Sequence, residues 1–100
     1  MLHCHDVKEL RRRARAALHA EVLPLVPPNR SWGGHGSGDL CPVCGRSIDP
    51  AEPELELEFT STGVGNDTRA FHLHLPCFTA WEFARNDSQA VQQLTSVTGM

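Results

Sequence analysis

Apolar residues recur at intervals of three and four over residues 6–23, which is the spacing of one face of an amphipathic helix. Asp6 precedes the pattern as a predicted N-cap, and Glu9 follows three residues later, as in a capping box. Prolines at positions 24, 27 and 28 are expected to end this helix, because proline lacks the backbone donor and clashes with the preceding turn. The predicted apolar face consists of Val7, Leu10, Ala14, Ala17, Leu18 and Val22.

The pattern changes to a period of two after Leu40. Residues 54–59 alternate charged and apolar side chains, and residues 68–74 alternate again, which is typical of half-buried strands. The segment between them, residues 62–67, is rich in Gly, Asn and Asp, so the two strands are predicted to form an antiparallel hairpin. The first strand carries a stripe of glutamates that we interpret as a solvated strand face: Glu54, Glu56 and Glu58.

A second helix is predicted after the hairpin, because apolar residues from Phe78 to Ala84 follow helical spacing. Pro76 lies in its first turn, a position that tolerates proline. Asn86-Asp87-Ser88 is expected to break this helix or to cap a short one. The domain organisation predicted from these patterns is an N-terminal helical segment 1–26, a linker 27–39, a small α+β domain 40–86 and a polar tail or short helix 87–100.

The predicted linker has no apolar period, since it contains four glycines and two prolines in thirteen positions. We expect it to be mobile. Trp32 is its one large apolar residue, and we expect it to pack on the neighbouring domain.

Composition narrows the function classes. The chain has 100 residues, with nine basic and twelve acidic side chains and a formal charge of −3, which argues against a generally basic nucleic-acid coat protein. No apolar run approaches the roughly 20 residues that span a bilayer, and the amino terminus lacks the layout of a secretory signal. We therefore expect a soluble, cytoplasmic protein.

Two paired motifs carry the candidate chemistry: Cys41-x-x-Cys44 and His74-x-x-Cys77. Two thiolates around a tight turn can face one ion, and residues three apart at the start of a helix lie on one face. Three sulfur ligands and one nitrogen ligand suit tetrahedral Zn²⁺, and four protein ligands fill its shell. The sequence therefore predicts one structural zinc ion bound by Cys41, Cys44, His74 and Cys77.

Other interpretations of these residues stay open in the sequence. A lone C-x-x-C can be a redox pair, although the βαβ context of such a motif is not visible here. His72 competes with His74 as the fourth ligand, and otherwise it is an exposed hairpin histidine or a partner of the site. Cys4, between His3 and His5, is interpreted as a free thiol or an adventitious metal binder.

The knuckle, hairpin and helix carrying Cys41, Cys44, His74 and Cys77 resemble the treble-clef group of zinc fingers, in particular one zinc-binding half of a LIM-type finger. The resemblance covers residues 40–86. It implies a β-hairpin between the two ligand pairs and a helix whose first turn supplies the last two ligands. The 29 residues between Cys44 and His74 exceed the usual spacing of a LIM half-site, so the resemblance extends to the treble-clef architecture and not to LIM function.

No catalytic motif accompanies the predicted zinc site, and the H-x-E element of zinc deaminases is absent. We therefore predict a non-enzymatic protein-interaction module, which binds a protein partner or a second copy of itself and takes no small-molecule substrate. The alternative hypothesis is a nucleic-acid-binding regulator that uses the basic stretch Lys8–Arg15. Because the apolar core is small, zinc removal is predicted to unfold residues 40–86.

Overall fold

The computed structural model describes residues 6–61 and 67–98, with side chains described as far as residue 87. Three antiparallel strands form one sheet in the order β1-β2-β3, and two helices pack with it. This confirms the predicted small α+β class. In chain order the elements are α1 (Val7–His19), β1 (Arg30–His35), β2 (Pro53–Thr60), β3 (Thr68–His74) and α2 (Leu75–Thr98).

Helix α1 begins as predicted and ends earlier. The Asp6 side chain caps it by accepting a hydrogen bond from the Glu9 N–H. At the other end Glu21 adopts a left-handed backbone conformation with φ +59°, and the Val22 N–H donates to the Ala17 carbonyl at 2.9 Å. This reversal closes the last turn before the prolines are reached. The prediction of a helix to residue 23 was therefore wrong, and Val22 is exposed rather than part of the buried face.

The predicted hairpin is confirmed by β2 and β3, which pair antiparallel with Leu57 opposite Phe71 and Glu54 opposite His74. Leu57 and Leu73 are fully buried, as their alternation predicts. The turn residues 62–66 lie outside the described part of the chain.

The predicted linker contains a strand. Arg30–His35 forms β1 and pairs antiparallel with β2, so the interpretation of residues 27–39 as a linker was wrong for these residues. Asn29 extends the pairing, since its N–H donates to the Glu58 carbonyl at 2.8 Å and its side-chain oxygen accepts from the Thr60 N–H at 2.7 Å. Trp32 lies on this strand opposite Glu56 and is 44% exposed, so it is not part of the buried core.

Helix α2 is continuous from Leu75 to Thr98, so the predicted break at residues 86–88 was also wrong. Asn, Asp and Ser each cost less than about 0.7 kcal/mol within a helix, which is too little to interrupt one that is already propagating. The predicted boundary between residues 86 and 87 thus falls inside a helix.

The core lies where α2 meets α1 and the sheet. Trp81 is completely buried at its centre and contacts Phe59 and Phe78 at ring-centroid distances of 6.1 and 5.9 Å. Its indole N–H donates to the Pro24 carbonyl at 3.1 Å, which fixes the segment after α1 against α2. The α1 side of the core consists of Leu10, Ala14, Ala17 and Leu18. Among the described residues, neither helix combines the length and apolar character needed to cross a membrane.

Candidate metal centre

Cys41 and Cys44 lie on a tight turn held by its own backbone. The Cys41 N–H donates to the Arg46 carbonyl at 2.9 Å, and the Gly45 N–H donates to the Cys41 carbonyl at 2.8 Å. Gly45 has φ +77°, and a Cβ added there would meet nothing within 4 Å. The turn therefore requires glycine at this position for its left-handed backbone and not for space.

His74 and Cys77 lie beside Cys41 and Cys44 but come from a distant part of the sequence, the junction of β3 and α2. His74 is the last residue of β3, and Cys77 lies in the first turn of α2, which follows β3 without an intervening loop. All four predicted ligands are buried, with exposures from 0% for Cys41 and Cys77 to 9% for Cys44. The structure thus brings together the residues that the sequence singled out.

The ligand atoms of these four residues all lie within 4.8 Å of one another, an arrangement that could hold a metal ion. Cys44 Sγ is 3.4 Å from His74 Nδ1. Tetrahedral zinc with bonds of about 2.3 Å to sulfur and about 2.05 Å to nitrogen requires this separation to be about 3.6 Å. The donor set and the observed distance therefore fit a Cys₃His tetrahedron, in which His74 would coordinate through Nδ1.

The other ring nitrogen of His74 has a carboxylate partner that sequence reasoning missed. His74 Nε2 is 3.0 Å from Glu52 Oε1, and the same oxygen accepts the Asp49 N–H at 2.8 Å. This Asp49 backbone hydrogen bond, together with a smaller contribution from His74 and against the effect of burial, holds the pKa of Glu52 below its ordinary value. Such a carboxylate orients a metal-binding imidazole and fixes its tautomer.

The cysteine cluster favours the ligating form of Cys41. The side-chain hydrogen bond from Cys77 lowers the pKa of Cys41 to about 4, against the effect of burial and with smaller contributions from backbone hydrogen bonds of Cys44 and His74. Because the thiolate is the metal ligand, this environment prepares Cys41 for coordination at neutral pH.

His72 belongs to a different network. Its Nδ1 lies 2.7 Å from Glu54 Oε2, and its Nε2 lies 3.4 Å from Asp39 Oδ2. The backbone N–H and hydroxyl of Ser37 donate to the other oxygen of Glu54, at 3.0 and 2.7 Å. The structure therefore places His74 in the cysteine cluster and joins His72 to the segment that follows β1.

Glu54 corrects the interpretation of the glutamate stripe as a solvated face. It is only 7% exposed, because Ser37 and His72 cover it. Burial raises its pKa, but the hydrogen bonds from His72 and Ser37 outweigh burial and leave the pKa of Glu54 below its ordinary value. For His72, burial is the largest influence and lowers the pKa, but the hydrogen bond to Glu54 and the charges of Glu54, Glu56 and Asp39 together outweigh it, so that the pKa of His72 is raised.

Helix α1 contacts the cysteine turn directly, since Arg13 Nη1 donates to the Cys44 carbonyl at 3.0 Å. Cys4 lies outside the described residues.

Comparison of the chain with protein-family models, with curated proteins and with solved structures finds no match. The interpretation of the site therefore depends on its own geometry.

Proposed function

We propose that Cys41, Cys44, His74 and Cys77 bind one structural Zn²⁺ and that the chain is a non-enzymatic protein-interaction module with a treble-clef-like arrangement of turn, hairpin and helix. The observation that carries this proposal is the burial of three sulfur atoms and one imidazole nitrogen within 4.8 Å of one another. Buried thiols without metal or disulfide are common singly, whereas three that converge on a histidine nitrogen have the composition of a zinc site.

A structural role is favoured over a catalytic one because four protein ligands complete a tetrahedral zinc shell. A catalytic zinc ion keeps a position for water or substrate. The contact of His74 with Glu52 and the position of Cys77 in the first turn of α2 support the assignment of both as fixed ligands.

The energy of metal binding is large compared with the stability of a small fold. Structural zinc sites contribute on the order of 10–16 kcal/mol of apparent binding free energy at neutral pH, whereas whole domains are stable by about 5–15 kcal/mol. The ligands come from two distant parts of the chain, residues 41–44 and 74–77. The zinc ion would therefore hold together the turn, the sheet and the second helix.

Contacts of the basic stretch Lys8–Arg15 favour a protein partner over nucleic acid. Arg12 and Arg13 both hydrogen-bond Glu9, and Arg13 also donates to the Cys44 carbonyl. Two of the four arginines in this stretch thus already have hydrogen-bond acceptors within the protein. With zinc bound, three thiolates (−3) and Zn²⁺ (+2) change the formal charge from −3 to −4, which further disfavours binding to phosphates.

The proposal is tested by elemental analysis of purified wild type and of Cys77→Ser, with Cys4→Ser as the matched cysteine control. We expect one zinc per chain in the wild type and in Cys4→Ser, and less than one in Cys77→Ser. Equal zinc content in Cys77→Ser and wild type contradicts the ligand assignment. Nucleic-acid binding with a steep salt dependence, lost on charge reversal at Arg11 and Arg12, would support the alternative function instead.

A further inference from the structure

An apolar groove runs between the first half of α1 and the first turns of α2. Its volume is about 230 Å³, and Arg11 is the only charged residue among those that line it. The other lining side chains are mainly apolar and include Val7, Leu10, Pro76, Ala80 and Phe83. None of them is a metal ligand, so the groove is separate from the candidate metal centre.

Large apolar side chains remain uncovered in this groove. Val7 is 57% exposed and Phe83 is 50% exposed, although both lie on helices whose other faces are buried in the core. Exposed apolar side chains that line a groove between two helices are typical of contact sites for protein side chains.

The exposed charges on the α1 flank of the groove are positive. The Arg11 guanidinium lies over the Phe83 ring, 5.0 Å from its centroid. Lys8 and Arg15 lie three residues before and four residues after Arg11, so they share its flank of α1, and all three are exposed. The ion-paired Arg12 and Arg13 project towards Glu9 instead. The groove therefore has an apolar floor and a positive border on the α1 side.

The size and shape of the groove favour protein side chains as its occupant. Pockets for drug-sized molecules have volumes of roughly 300–1,000 Å³, which is more than this groove offers. A hydrophobic groove between two helices accepts the apolar face of a third helix, anchored by side chains spaced three and four apart. A positive border selects acidic residues beside those anchors and repels basic ones.

We propose that this groove binds an acidic amphipathic helix of a protein partner. The proposal rests on the protein-interaction function given above and names its docking surface and the chemistry of the partner. The apolar side chains of the partner contact Val7 and Phe83, and its carboxylates face Arg11, Lys8 and Arg15. The Arg11 guanidinium, already stacked on Phe83, is held where it can contact a carboxylate beside an apolar anchor.

The test uses the full chain, purified in the presence of zinc, and three labelled peptides of 16 residues. The first carries leucines at one helical face with glutamates on both sides of them. The second has lysine in place of each glutamate, and the third is a scrambled version of the first. In fluorescence anisotropy we expect the glutamate peptide to bind at least about tenfold more tightly than either control, and added salt to weaken its binding.

Two substitutions in the groove and one outside it locate the binding surface. Phe83→Ala is expected to weaken binding of the glutamate peptide about 30-fold, the loss usual for an aromatic anchor. Val7→Glu replaces a more exposed side chain, leaves the core intact and is expected to weaken binding about tenfold through repulsion. Arg30→Glu on β1 is the matched charge control and is expected to change binding less than twofold.

The outcomes separate this proposal from the proposed function, because the zinc content of every variant is measured alongside binding. If wild type holds one zinc and binds the glutamate and lysine peptides equally, the groove proposal is wrong and the zinc module stands. If the glutamate peptide binds but no zinc is found, the zinc module is wrong and the groove stands. Binding that survives both Phe83→Ala and Val7→Glu, or duplex DNA bound in preference to every peptide and released by Arg11→Glu, overturns the groove proposal.

Discussion

Two regions of this protein are stabilised by different kinds of interaction: the candidate metal centre around Cys41, Cys44, His74 and Cys77, and the contact between helices α1 and α2. At the metal centre, buried polar groups converge, and contacts with Glu52 and Arg13 support His74 and the Cys44 carbonyl. Where α1 meets α2, buried apolar side chains belong to one core cluster, which includes Leu10 and Ala14 of α1 and Ala80 of α2, and an open groove remains beside them. The metal centre requires specific ligand residues, whereas the stability of the α1–α2 contact depends on how much apolar surface is buried.

We expect the contact between α1 and α2 to depend on the metal centre, although none of the candidate ligands takes part in it. Cys77 is in the first turn of α2, Trp81 follows one turn later in the core, and Phe83 lies in the groove. A metal ion that fixes Cys77 therefore also fixes the start of the helix that presents Phe83. The groove is expected to exist only when the metal centre is assembled.

Metal removal is expected to have the largest effect on both regions. Because zinc binding contributes on the order of 10–16 kcal/mol, we expect chelation to unfold residues 40–86 and to abolish binding of the glutamate peptide. Heteronuclear NMR measures the outcome as a collapse of amide chemical-shift dispersion, which returns when zinc is added back. Retained dispersion after complete chelation would show that the apolar core is sufficient by itself.

Truncation of the helix pair is expected to have the next largest effect. Leu10 is 3% exposed, and Leu10→Ala removes buried methyl groups at a cost of about 2–5 kcal/mol. Thermal unfolding of the zinc-loaded protein should show a lower Tm, while zinc remains stoichiometric below the transition. Val7→Ala, at a site that is 57% exposed, is the matched control and should leave the Tm almost unchanged. Loss of zinc from Leu10→Ala at 25 °C would mean that the metal centre depends equally on the helix pair.

Substitution of Glu52 sharpens the assignment of His74 as a ligand. Glu52→Ala removes the carboxylate beside His74 Nε2 and is expected to weaken zinc affinity about 10–100-fold, as is usual for the partner of a metal-binding histidine. Glu52→Gln keeps an acceptor and should lose less. Competition with a zinc indicator measures both variants, with Glu58→Gln on β2 as the control. Equal affinity in Glu52→Ala and Glu58→Gln would contradict an orienting role.

The smallest expected effect concerns Glu9 at the exposed side of α1. Hydrogen bonds from Arg12 and then Arg13 lower the pKa of Glu9 from 4.5 to about 2. A carboxyl whose pKa is lower in the folded state stabilises the protein above its unfolded pKa, and this contribution is lost as the pH falls towards 2. The Tm difference between wild type and Glu9→Gln should therefore be constant from pH 8 to pH 5 and shrink below that, for as long as the zinc-loaded chain stays folded. High salt should also reduce it.

The cluster of three cysteines and one histidine and the hairpin could be predicted because their signals are local. Spacings of three residues on a tight turn and at the start of a helix determine which side chains can meet, and a period of two determines which face of a strand is buried. The choice of His74 over His72 followed from its offset from Cys77. The distances among the four ligands could not be known before the fold had joined residues 41–44 to residues 74–77.

Most of the features that could not be predicted depend on strand pairing between residues that are far apart in the sequence. β1 has no apolar alternation, so its strand conformation comes from hydrogen bonds to β2. The burial of Glu54 depends on Ser37, which reaches it only because β1 is paired. Glu52 precedes β2 without any motif, and only the pairing of β2 with β3 brings it to His74. The continuation of α2 through Asn86 has another cause: local preferences were weaker than helix propagation.

Contacts at both ends of β1 fix its pairing with β2, and they determine at which positions of the strand the residue type can change. Asn29 binds both Glu58 and Thr60 at one end. At the other, Gly36 passes so close to Asp49 that a Cβ would lie 1.9 Å from its carbonyl oxygen. Between these anchors a Cβ on Gly34 would meet nothing within 4 Å. The middle of the strand can therefore accept new side chains, including ones chosen to display a label or an affinity tag, while the alignment of the sheet is preserved by its ends.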